Sequence, residues 1–80
     1  MHVKAIASNM TELHLSTGVV VLFSYETPVA AFIPGAGYVR TEQHYSMTTS
    51  RHINKWLGSR INDAKKGPQN ELSELVERAA

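Results

Sequence analysis

Residues 19–33 read VVVLFSYETPVAAFI, and their pattern decides the fold. Val19, Val21, Phe23 and Tyr25 fall on one side of an extended segment; Val20, Leu22 and Ser24 fall on the other. Both sides are mostly apolar, and β-branched and aromatic residues dominate. Residues 19–25 therefore read as a central strand, or as one in a sheet covered on both sides. Glu26, Thr27 and Pro28 are expected to break it. Residues 29–33 read as the next strand, with Ala30 and Ala31 leaving room for a bulky neighbour.

Towards the N-terminus, Leu13 and Leu15 alternate with Glu12 and His14, the signature of a half-buried strand. Ser16, Thr17 and Gly18 supply the turn into residue 19. Residues 3–8 read as a further short strand, and Asn9 with Met10 as a bend. In the other direction, Pro34-Gly35-Ala36-Gly37 is a strong turn signal, and residues 38–41 read as a last short strand. Every connection is short, so the strands are expected to form an antiparallel meander.

The periodicity then changes. Thr48, Thr49 and Ser50 offer hydroxyls to cap a helix, with Ser50 favoured. Ile53, Trp56, Leu57, Ile61 and Ala64 recur at helical spacing, interrupted by Gly58. Gly67-Pro68 opens a second helix with the stripe Leu72, Leu75, Val76 and Ala79. The expected architecture is α+β, one domain over residues 1–80. It comprises a four- to five-stranded antiparallel meander over about 3–41, with helices over about 49–66 and 68–79 packed on one face.

Composition narrows the function classes. The 80 residues hold no Cys, which fits a reducing compartment and rules out disulfide bracing. A chain this short has a thin core, so a homodimer is a reasonable expectation. The longest apolar run is strand-sized, and the start lacks the apolar stretch and cleavage site of a leader peptide. The expected setting is cytoplasmic, with no membrane partner. Charge is unevenly spread within a net +1. Over residues 38–66, Arg40, Arg51, Lys55, Arg60, Lys65 and Lys66 stand against Glu42 and Asp63, whereas Glu71, Glu74 and Glu77 make the tail acidic.

Chemistry-bearing motifs are sparse. His2, His14, His44 and His52 have no i, i+4 pair, and no Cys supports a metal site; no metal or cofactor is expected. Ser46 or Ser50 beside His44 or His52 lacks the elbow of a hydrolase nucleophile, so the chain is not expected to be an enzyme. Gly35-Ala36-Gly37 is followed by a strand rather than the helix that a phosphate loop requires. The stretch most suggestive of binding interleaves rings and cations: Tyr38, Arg40, His44, Tyr45, Arg51, His52 and Lys55. Trp56 reads as core rather than contact.

Residues 21–35, VLFSYETPVAAFIPG, together with 48–57, TTSRHINKWL, resemble small, functionally uncharacterised proteins encoded mainly by bacteriophages. The resemblance spans roughly 19–57 and brings no catalytic residues with it. It implies a phage setting, where small proteins frequently occupy the working surface of a host protein. Inhibitors of host defence, anti-CRISPR proteins among them, act in this way. The leading expectation is accordingly a protein-binding inhibitor of a host bacterial complex. Its contacts would lie on the seven residues just named. The alternative is a nucleic-acid-binding module using the basic segment 38–66.

Overall fold

The strand Val20–Ser24 (β3) lies in the middle of the sheet, and its two apolar sides are both covered. The computed structural model describes residues 2–79, the side chain of Ala79 excepted. The terminal residues of the 1–80 domain expectation, and the place of Ala79 in the second helical stripe, lie outside the described residues. Strands His2–Ala7 (β1), Met10–His14 (β2), β3, Thr27–Ile33 (β4) and Gly37–Thr41 (β5) form the expected antiparallel meander in sequence order.

Several strand limits differ from the sequence reading, and two of the differences matter to the core. Met10 is not in a bend: it begins β2 and is buried in the core. Nor do Thr27 and Pro28 break the chain. The connection after β3 is only Tyr25-Glu26, and Thr27 already pairs with Ser24. The register slips between Leu22 and Phe23, so that Phe23 faces Pro28 and Val29 is the extra residue. A bulge of this kind admits a proline, which has no N–H for the ladder.

The second half departs further. Met47–Leu57 (α1) is capped by Ser46, whose Oγ accepts from the Thr49 N–H at 3.1 Å, so Thr48, Thr49 and Ser50 are all inside the helix. Gly58 ends α1 at φ 56°, a conformation that favours glycine, and a single 3-10 turn follows over Gly58–Arg60. The expected helix to residue 66 is therefore divided. Its last residues, Lys65 and Lys66, join Gly67 in a sixth strand, Lys65–Gly67 (β6), parallel to β5. A parallel neighbour needs a crossover, and α1 supplies it. Gln69–Ala79 (α2) follows.

The helices also do not share a face. Ile53 and Leu57 of α1 pack on Met10, Leu22, Val29 and Ala30, with Trp56, Ile61 and Ala64 at the margin. Leu72 of α2 packs on Leu13, Val21 and Ala31, flanked by Leu75 and Val76. Adjacent residues of one strand point to opposite faces, which is why Val21 and Leu22 belong to different clusters. Gln69 Nε2 ties α2 to β4 through the Pro28 carbonyl at 2.7 Å. Among the described residues no helix is long and apolar enough to cross a membrane.

Candidate functional site

The seven sequence-chosen residues do not form one patch. Tyr38 and Arg40 alternate on the face of β5 that α1 covers. The Tyr38 ring lies 4.9 Å from Phe32 and 5.8 Å from Trp56, with the Arg60 guanidinium 5.1 Å above it. Arg40 is half-buried, and its Nε has no hydrogen-bond partner. The other five surround α1. His44 and Tyr45 are exposed in the segment before the helix, and Arg51 and Lys55 are exposed on it. His44 Nδ1 is 3.5 Å from Ser50 Oγ, too far for an effective hydrogen bond.

His52 is the anchored member. Its Nδ1 lies 2.7 Å from the Oγ of Ser24, which is also 3.1 Å from Thr49 Oγ1. The Ser46 hydroxyl donates to Thr49 Oγ1 at 3.2 Å. One consistent direction of donation runs Ser46, Thr49, Ser24, His52 Nδ1, and it places the ring N–H on His52 Nε2. This is not a nucleophile–base pair for solvent-borne substrates: Ser24 is 1% exposed, so an incoming carbonyl has no path to its Oγ. The chain of hydroxyls instead bolts the start of α1 to the end of β3.

That bolt displays Tyr25. The connection between β3 and β4 has two residues, and only the first, Tyr25, has positive φ, at 58°. Such a turn normally places glycine there. Tyr25 is nonetheless a large ring, 53% exposed, with its centroid 5.9 Å from His52. Its N–H is held by the Asn9 carbonyl at 2.8 Å. Tyr45, 39% exposed, and Met47, 67% exposed, add apolar surface at the same end of the helix. Met47, Arg51 and Lys55 follow one another at i, i+4 along an exposed row. No acidic residue occurs in α1. The sequence reading missed Tyr25 because it took Glu26 to Pro28 as the break. A strict two-residue count between β3 and β4 would have exposed a tyrosine in a glycine position.

A second polar cluster was also not foreseen. Glu12 accepts from Trp56 Nε1 at 2.7 Å and from His14 Nε2 at 2.9 Å. Burial pushes its carboxyl up, but the Trp56 and His14 hydrogen bonds and the charges of His14 and Lys4 together pull it further down. It therefore titrates below its ordinary value. Trp56 thus packs at the margin of the core while its Nε1 donates to Glu12. His2 is paired with His14 across β1 and β2, with the rings stacked 4.6 Å apart.

No curated protein and no solved structure matches the chain. A family match does exist, over residues 1–74. The matched span reaches past the motifs at 21–35 and 48–57 to include β1, β6 and the first half of α2, so it covers both helix-covered faces and the Tyr25 turn. The chain belongs to the family described as "Family of unknown function (DUF8033)".

Proposed function

We propose that the protein is a binding module that acts by covering the working surface of a larger bacterial protein complex, as a phage-type inhibitor of host defence would. The contact surface is Tyr25 with His52, Tyr45, Met47, Arg51 and Lys55. The carrying observation is Tyr25, an exposed ring kept at a positive φ that glycine would adopt without strain. Strain held at an exposed position, with no core to fill, argues for a use outside the fold. Aromatic residues and arginine are the side chains that dominate binding energy in protein interfaces. An α1 row bearing Arg51 and Lys55 and no carboxylate favours an acidic face on the partner.

The test is affinity purification of tagged protein from bacterial lysate after nuclease treatment, run beside Tyr25→Gly and Arg51→Glu. A stoichiometric protein retained by the parent chain and lost by both variants supports the reading. Equal capture by all three overturns it.

Exposed Tyr25 and Tyr45 beside Arg51 and Lys55 also favour a second reading, stacking on single-stranded nucleic acid. That reading requires an affinity that falls steeply as salt rises, and an affinity indifferent to salt sinks it.

A further inference from the structure

On the α1-covered side, at the far end of the helix from Tyr25, the rings of Phe32, Tyr38 and Trp56 line an open cup with Glu12, His14 and Val20; its volume is about 270 Å³. Tyr38 meets Phe32 at 52° and Trp56 at 71°, so the rings are inclined to one another rather than stacked flat. The Glu12 carboxylate is part of the lining. Its oxygens are held by Trp56 Nε1 and His14 Nε2, neither of which is a permanent cation. Among the described residues no Lys or Arg comes within 4.0 Å of it, although Lys4 is its register partner on β1. A half-buried anion has therefore been oriented by two donors and left without a permanent counter-ion in contact. Three aromatic side chains, Phe32, Tyr38 and Trp56, share the lining with it.

We propose that this cup binds an organic ammonium cation bearing methyl groups. Ring faces attract cations, and a methylated ammonium loses little hydration on entering an apolar cup. Such a cation needs no hydrogen-bond acceptor beyond the carboxylate charge. It also demands no donor, which suits a site where the Trp56 N–H is already committed. The Arg60 guanidinium sits 5.1 Å over Tyr38, so one face of that ring is already taken and the bound cation would meet Trp56 and Phe32. The site is separate from the Tyr25 surface and does not depend on the function proposed there.

Trp56 is the only tryptophan, so its fluorescence reports on the cup without a label. The full chain is titrated at constant ionic strength with choline, with tetramethylammonium, and with 3,3-dimethylbutan-1-ol, the uncharged twin of choline. The expected result is a saturable change with both cations and affinity for the alcohol weaker by about tenfold. Glu12→Gln, which keeps an acceptor for Trp56, is expected to weaken choline by a similar factor. Equal affinity for choline and the alcohol, or a response that never saturates, overturns the proposal. The choline–alcohol comparison needs no variant, so it stands even if Glu12→Gln does not fold. A trimethyllysine peptide identifies the source: affinity well above that of choline assigns the cation to a partner's side chain, and equal affinity assigns it to a free small molecule.

Discussion

The ring of Tyr25 lies 5.9 Å from that of His52, and the backbone that puts it there is held at φ 58°. Stability and binding should therefore separate at this residue. Tyr25→Gly relieves the left-handed conformation, worth about 1–2 kcal/mol, but gives back about 0.5–1 kcal/mol in unfolded-chain entropy. The expected outcome in urea unfolding is a gain of up to about 1 kcal/mol. The same variant should lose the partner. A clear loss of stability would show that the ring serves the fold.

Ser24→Ala removes the group shared by His52 Nδ1 and Thr49 Oγ1. Leaving buried polar partners unpaired costs about 1–3 kcal/mol. Because the three residues act as one network, Ser24→Ala combined with His52→Ala should cost less than the two single changes added together. Strict additivity in a double-mutant cycle would contradict the linkage.

Acid should weaken the fold partly through Glu12. Its carboxyl titrates below the ordinary 4.5 in the folded chain, so the unfolded chain takes up the proton more readily. The resulting stability is present above about pH 4.5 and is lost as the pH falls through the folded value. Glu12→Gln should therefore be less stable than the parent near neutrality, and the gap should narrow as acid is added. A gap that is constant with pH would remove Glu12 from the account.

Leu72 is fully buried against Leu13, Val21 and Ala31, on the face opposite α1. Leu72→Ala is expected to cost about 2–5 kcal/mol, a large share of the stability of so small a domain. It should also release α2, which amide hydrogen exchange would show as faster exchange over residues 69–79. Exchange unchanged there would mean that α2 is not docked through Leu72.

Much of the meander was legible because its signals are local. The turn at Gly18 and the turn at 34–37 punctuate strands whose alternation survives in the fold, and the two apolar sides of β3 fit a central strand covered on both faces, although both helices were expected on one face. Where each helix would lie was not legible, since an apolar stripe names a buried side and not the surface it is buried on. Lys65–Gly67 carries no strand pattern at all; it is a strand because β5 offers it a free edge. Ile61 and Ala64 continued the helical spacing past Gly58 because they reach the same cluster from outside the helix. For the candidate site, the sequence pointed to α1 through Arg51, His52 and Lys55. It could not pair Glu12 with Trp56, 44 residues away, nor Ser24 with His52.

The order of elements along the chain has a consequence for synthesis. All five meander strands leave the ribosome before any residue of α1 or α2, so the nascent sheet has both apolar sides bare at once. At about 5–20 residues per second, about 2–6 seconds separate the completion of β5 from the arrival of Leu72. During that interval the nascent chain is a sticky two-sided ribbon, and its yield in a cell should depend on how well chaperones shield it rather than on the stability of the finished fold.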